Sequence, residues 1–321
     1  MRMRHIAAIA ASVLLLASCS KGEDPNAAPT AVPGRVSPLT GTAQETPPNN
    51  PAYLVKIENT AGGEPQYGLN KADLVVEELV EGGLTRLAAF FYSNLPTKVG
   101  HVRSMRTTDI GLSQPLNATV VATGAASDTY DQMKESKTVA FTEDHGAPGF
   151  SSDPAKERPY NRMLNLQKLN ESNKAFVPKT NYFGWGSGPA AGDVTKTVTS
   201  AEVQFSEGST TGWSFAGGKW GRTNERAAAG EAYKADTLIV IFARVAEAGY
   251  NDAAGNPVPE TVVKGTGRAV VFTGGKATEA TWSKTKSEST MSFKTQSGKT
   301  LGIKPGHVFL ELVPRGGDVT Y

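Results

Sequence analysis

The sequence predicts an α+β protein, with a mixed α/β N-terminal domain packed on an antiparallel, β-rich C-terminal lobe. Two observations carry this. Between residues 52 and 182, apolar runs of strand length alternate with segments of helical spacing. Beyond the glycine-rich stretch FGWGSGPAAG (183–192), apolar runs are short and closed by glycine turns, the pattern of an antiparallel sheet or small barrel.

The chain opens on a segment that is not part of a fold. Arg2 and Arg4 form a positive start, and Ile6 to Leu16 is apolar but too short to span a bilayer. Leu16-Ala17-Ser18-Cys19 then matches the bacterial lipobox, in which a peptidase cuts before a diacylated cysteine. Cys19 is the only cysteine in the chain, so no internal disulfide can form. The alternative is an ordinary secretory signal with an incidental cysteine; the small-residue cleavage site beside Cys19 favours acylation. Residues 1–18 are therefore read as a lipoprotein signal peptide. Residues 19–51 are read as a lipid-anchored, disordered linker, rich in proline and poor in anything to bury. This places the protein on the extracytoplasmic face of the cell membrane, held by lipid on Cys19.

Composition narrows the partners. The formal charge is +2, and both surplus cations, Arg2 and Arg4, leave with the signal. A balanced remainder argues against a general grip on nucleic acid or anionic lipid, so any anion site must come from local clustering.

In the first domain, 52–182, Ala52 to Glu58 alternates as a strand. Thr107 to Leu116 reads as a short helix, and Ala118 to Thr123 as a buried strand. Ser127 to Ser136 reads as a helix capped by Ser127, Val139 to Thr142 as a strand, and the stretch from Arg162 as a helix ending before Pro178. In the second domain, 183–321, strands are expected at 201–205, 213–220, 237–245, 268–282, 290–303 and 307–313. The polar run 282–300 reads as a solvent-facing hairpin, and 249–259 as a loop.

Residues 66–106 organise the rest. Two apolar-rich runs flank Gly82-Gly83, a pair that closes two-residue hairpins. With those glycines as the loop, Leu79 stands opposite Arg86. Glu77, Glu81 and Arg86 then share one face, with Leu74, Val76, Val80, Leu87 and Phe91 on the other. Arg103-Ser104-Met105-Arg106 follows at a strand-to-helix turn. If the helix starts at Ser104, Arg106 sits where the dipole disfavours a cation unless an anion is bound there. A start at Thr107 or Thr108 leaves Arg106 ahead of the helix, with Asp109 in the first turn.

The candidate site therefore comprises Arg86, Arg103, Ser104 and Arg106 as anion ligands, oriented by Asp73, Glu77 and Glu81. Asp73, Glu77, Glu78 and Glu81 can instead absorb the arginines into internal ion pairs. Familiar catalytic signatures are missing: no P-loop, dinucleotide fingerprint, HExxH or G-x-S-x-G occurs. Ser283-x-x-Lys286 satisfies S-x-x-K without supporting motifs. His101, His145 and His307 are scattered without ligand-like spacing, so neither metal nor cofactor is expected.

With these residues in view, the chain resembles the YerB-like lipoproteins, a family defined as a domain of unknown function with distinct N- and C-terminal parts. The resemblance rests on PLTG (38–41), PQYGLNKADLVVEELVEGGLTRLAAFF (65–91), VGHVRSMR (99–106), RPYNRM (158–163), RAVVFTGGKATEATW (268–282) and KPGHVFLELVP (304–314). It adds Asn161 to the candidate ligand-binding set and implies an envelope lipoprotein, with no activity attached. The chain departs from the family pattern at His101, where proline is usual, and at Tyr160-Asn161, where His-Asn is usual. Over residues 73–106 alone, an acidic strand followed by Arg-Ser-x-Arg is similar to the LytR-CpsA-Psr phosphotransferases, which hold a lipid-linked pyrophosphate with arginines.

Three functions are thus in play. One is an envelope binding protein for an anionic ligand, a cell-wall glycan phosphate or a carboxylate-bearing peptide. The second is a phosphoryl or glycosyl transferase with Glu77 or Asp73 as base. The third is a structural or protein-interaction lipoprotein.

Overall fold

The structure, a computed structural model, describes residues 36–173, 176–190, 193, 195–252 and 255–321. The signal peptide, Cys19 and the linker up to residue 35 lie outside the described residues.

The apolar runs assemble into one large mixed sheet. Its central strands are Tyr53–Glu58 (β1), Leu74–Leu79 (β2) and Thr85–Phe91 (β3), buried on both faces except at Leu79. From edge to edge the main path runs Ser292–Thr295, Lys276–Lys284, Gly265–Thr273, Thr237–Ala243, Val308–Pro314, β2, β3, β1, Thr119–Ala122 and Ala140–Thr142. Val308–Pro314 pairs in parallel with both β2 and Thr237–Ala243. A strand flanked on both sides satisfies both rows of backbone groups, which suits the buried position of VFLELV.

The expected division at 182/183 therefore meets no gap in the sheet, which passes from one half of the chain into the other through this strand. The β-rich character is present on both sides. The α-helices among the described residues, Thr108–Ser113 (α1), Ser127–Glu135 (α2) and Leu166–Glu171 (α3), are short, so the N-terminal half is less helical than expected.

A smaller antiparallel sheet covers one face. Its order is Lys234–Ala235, Lys219–Arg222, Ser209–Ala216, Ser200–Ser206 and Asp318–Thr320. Trp213, Trp220 and Val203 pack there on Val75, Leu87 and Phe309, and the Trp213 and Phe309 rings meet edge to face at 4.7 Å. On the opposite face Leu54, Val76, Ala88 and Leu310 meet Leu112, Met133, Trp282 and Phe293. Among the described residues no helix is long and apolar enough to cross a membrane.

Four local expectations change. First, the hairpin turn is the three-residue Glu81–Gly83, with Gly82 and Gly83 at φ +67° and +72°, the left-handed region that glycine enters freely. Arg86 therefore pairs with Glu78 instead of Leu79. A one-residue slip exchanges faces. Glu78 joins Arg86 on one face, while Glu77 turns to the other, and both faces are covered.

Second, the disordered linker does not extend to residue 51. Ser37 to Thr40 is buried and Leu39 is fully enclosed in the core. Tyr182 N–H donates to Pro38 O (2.9 Å) and Gly306 N–H to Thr40 O (2.7 Å). Third, the polar run 282–300 is only half solvated, because alternation buries Trp282, Lys284, Met291 and Phe293 while their neighbours face water. The expected loop at 249–259 likewise contains most of a hairpin, Val245–Asn251 with Pro257–Thr261.

Fourth, the helix beginning at Arg162 is delayed. Arg162–Leu164 is a strand, and Asn165 caps α3 by accepting from Lys168 N–H at 2.9 Å. Ser127 does not cap α2; Ala126 holds the N-cap position.

Candidate functional site

Charged residues within strand-length apolar runs build two networks, one on each face of the central sheet. On the face of α1, Lys56 from YLVKIE is fully enclosed. A buried cation persists only when paired. Lys56 Nζ bonds Glu78 Oε1 and lies 2.9 Å from Asp109 Oδ1. Asp109 Oδ2 accepts from Arg106 N–H at 2.7 Å, which fixes the start of α1. That helix begins at Thr108, the later of the two starts weighed above, so Arg106 precedes it.

Each candidate arginine is satisfied within the chain. Arg106 Nε donates to Glu81 Oε1 at 2.6 Å. Arg103 pairs with Glu58 Oε2 and lies over the Tyr160 ring at 4.9 Å. Arg86 donates to Ser104 O at 3.2 Å, and burial pulls its guanidinium down to about 10. Arg86, Arg103, Ser104, Arg106 and Glu81 are thus brought together.

Asp73 and Glu77 are not part of that group. Asp73 lies five residues, roughly 16 Å of extended strand, from Glu78. Its Oδ2 accepts from Tyr92 and Ser93 N–H at 2.7 and 2.9 Å, and burial raises its pKa. Asn161 precedes Arg162, which pairs with Glu143; Asn161 O accepts from Asp153 N–H, and its Oδ1 is buried without a partner.

Glu77 belongs to the second network, beneath the small sheet. Asn59 Nδ2, Thr85 Oγ1 and Thr211 Oγ1 donate to its Oε1 at 3.0, 2.7 and 3.1 Å. Register sets Glu311 beside it on the adjacent parallel strand, and Trp213 Nε1 donates to Glu311 Oε1 at 2.7 Å. The two carboxyls are within hydrogen-bond reach of each other. Burial raises both pKa values, and the charge of Glu77 pushes Glu311 further up. A proton on one carboxyl would supply the donor that both Oε2 atoms lack.

Sequence reasoning missed Lys56, Glu311 and Arg222, and placed Glu78 only among the acids that could neutralise the arginines. The signal was present for Lys56 and Glu311: each is a lone charge inside an apolar strand, a placement that requires a partner from elsewhere.

A cavity of about 470 Å³ lies just past the Arg106 turn, between α1, the end of α2 and the 244–264 hairpin. Thr107, Gln132, Glu135, Arg244, Glu260 and Lys264 are among its lining. The buried Oγ1 atoms of Thr107 and Thr261 face no hydrogen-bond partner among the described residues. Burial raises the Glu260 pKa, partly offset by Arg244. Beneath the wall, Lys284 Nζ donates to Gly111 O at 2.9 Å, and burial depresses it to about 8.

Residues 39–179 match the family described as "Protein of unknown function (DUF3048) N-terminal domain", and residues 201–310 match its C-terminal domain. A curated relative, "Putative lipoprotein YerB" from Bacillus subtilis (strain 168), is 36% identical over 122 residues, covering 37% of this chain and 36% of that protein. The match thus spans little more than a third of that relative's length. The crystal structure of YerB protein from Bacillus subtilis superposes with a TM-score of 0.74 at 19% identity, covering 89% of this chain and 99% of the other. At that identity the likeness is one of fold.

Proposed function

The chain belongs to the DUF3048 family, carrying its N- and C-terminal domains in order, and we propose that it is a lipid-anchored, extracytoplasmic envelope protein that binds a carboxylate-bearing peptide. The lipobox at Leu16–Cys19 and the likeness to a relative named as a lipoprotein support the anchor. Cys19→Ala is expected to abolish fatty-acid labelling and move the protein out of the membrane fraction. A wild-type chain that never incorporates labelled fatty acid refutes the anchor.

The observation that carries the binding reading is the 470 Å³ cavity, which both family segments line. Its volume falls within the range of small-ligand sites. Arg244 and Lys264 supply charge for a carboxylate, and Glu135 and Glu260 suit an amine. This moves the anion-binding charge away from Arg86, Arg103 and Arg106, whose carboxylate and carbonyl partners already occupy them.

The test is titration of the full chain with tri-alanine and with its C-terminal amide. Tri-alanine is expected to bind about tenfold more tightly than the amide, and Arg244→Ala to remove most of that preference, as loss of a partly exposed charge-assisted hydrogen bond implies. Equal binding of the two peptides, or none, overturns the reading.

A further inference from the structure

A second cavity lies on the other face of the sheet, over the Glu77–Glu311 pair. It measures about 150 Å³ and is lined by Glu77, Arg222, Asn59 and Thr211, with Asn224 and Leu84 among the exposed residues at its edge. The chemistry there is specific. Arg222 is 6% exposed; its Nη1 donates to Asn59 Oδ1 at 2.9 Å, and its Nη2 to Gln66 Oε1 and Glu225 Oε1 at 3.0 and 2.9 Å. Its Nε–H meets no acceptor among the described residues. A buried guanidinium N–H without an acceptor is costly.

Charge accounting then selects the ligand. Arg222 is balanced by Glu225, and Arg226, which also lines the cavity, by Glu64. The Glu77–Glu311 pair adds no positive charge in any protonation state. No positive charge is left over for a phosphate or carboxylate. Glu77 Oε1 is already saturated by three donors, so no free carboxylate awaits an ammonium.

Among the described lining, the groups not already bonded are neutral: the hydroxyls of Thr60, Ser209 and Thr210 and the Asn224 Oδ1. Beside them Leu84, 46% exposed, offers an apolar surface. Hydroxyl groups that both donate and accept, on a ring with one C–H face, match this lining. The volume is below the roughly 300 Å³ at which pockets enclose drug-sized ligands, so it takes one ring or the end of a longer chain.

We propose that the cavity over Glu77 and Arg222 is a binding site for an uncharged, polyhydroxylated ligand, a single sugar ring or the terminal ring of a glycan. The site is separate from the peptide cavity and does not depend on it.

The test uses the full chain, isotopically labelled and purified in a detergent without a sugar headgroup, with N-acetylglucosamine as the probe. Replacing Arg222 would strand Glu225, Gln66 and Asn59, so the variants are Asn224→Ala and Leu84→Ala, both at exposed positions. N-acetylglucosamine is expected to shift the backbone amides of Thr210, Thr211 and Asn224. Each variant should weaken that binding about fivefold, the worth of one hydrogen bond or apolar contact. Arg244→Ala should leave it unchanged, which separates this site from the peptide cavity. Three results overturn the proposal: no shift at these amides at any sugar concentration, shifts of equal affinity in both variants, or displacement of the sugar by pyrophosphate.

Discussion

Replacement of Lys56 by alanine is expected to destabilise the protein by about 3–5 kcal/mol in chemical denaturation, the usual cost of removing one partner from a buried ion pair. Lys56, Glu78 and Asp109 are all fully enclosed, so water cannot replace the lost ammonium. Burial already raises the Glu78 pKa, and Lys56 is the largest influence holding it down. Without Lys56, Glu78 must take up a proton or draw on Arg86 and Arg106, whose charges are committed to Ser104 O and Glu81.

The control is Lys56→Met combined with Glu78→Gln, which removes one charge of each sign, leaves Asp109 to offset Arg86 and should recover most of the loss. A cost below about 1 kcal/mol for Lys56→Ala would place the cluster with surface pairs and refute the account of the α1 face.

The second large effect has the opposite sign. Glu311→Gln is expected to stabilise the protein at pH 7 and to leave it unchanged near pH 4. Glu311 titrates well above the ordinary carboxylate range when folded, through burial first and the charge of Glu77 second. Above the unfolded carboxylate pKa, the folded state therefore binds more protons than the unfolded chain. This group's contribution is fully present below that value and declines as pH rises, at about 1.4 kcal/mol per pH unit, until Glu311 ionises in the folded state.

Glutamine cannot lose that proton. Its carbonyl can still accept from Trp213 Nε1, and its amide can donate to Glu77 in place of the shared proton. Thermal melts of both proteins from pH 4 to 8 give the difference curve. A difference that stays flat from pH 4 to 8, or a wild type that gains on the variant as pH rises, would mean that Glu311 titrates at or below the ordinary carboxylate range, and the shared-proton arrangement would be refuted.

Both effects bear on what was legible before folding. Strand positions were readable where alternation or a continuous apolar run met a glycine turn, as in Tyr53–Glu58, Gly265–Lys284 and Val308–Pro314. The faces of β2 were not readable, because they depend on whether the loop holds two residues or three. Glu81 joins the turn through a backbone bond from Leu84 N–H at 3.3 Å, and that choice exchanges the roles of Glu77 and Glu78. The predicted cluster thus combined residues from two faces: Arg86, Arg103, Ser104, Arg106 and Glu81 meet, while Asp73 and Glu77 lie elsewhere.

The chain by itself determined what local chemistry determines. It contained the lipobox pattern around Cys19, the absence of a second cysteine, the balanced charge, the β-rich texture and the Arg103–Arg106 turn ahead of a short helix. Each needs only neighbours in sequence. Tertiary structure alone decided which carboxylate meets which cation. The partners are far apart in the chain: Lys56 with Glu78 and Asp109, Glu77 with Glu311, and Asn59 with Arg222. It also placed Val308–Pro314 between β2 and Thr237–Ala243, joining both halves in one sheet. The physical reason is that a charge within an apolar run signals only that it must be neutralised. The identity of the neutralising group follows from strand order and register, which are set by hydrogen bonding and packing across the whole sheet.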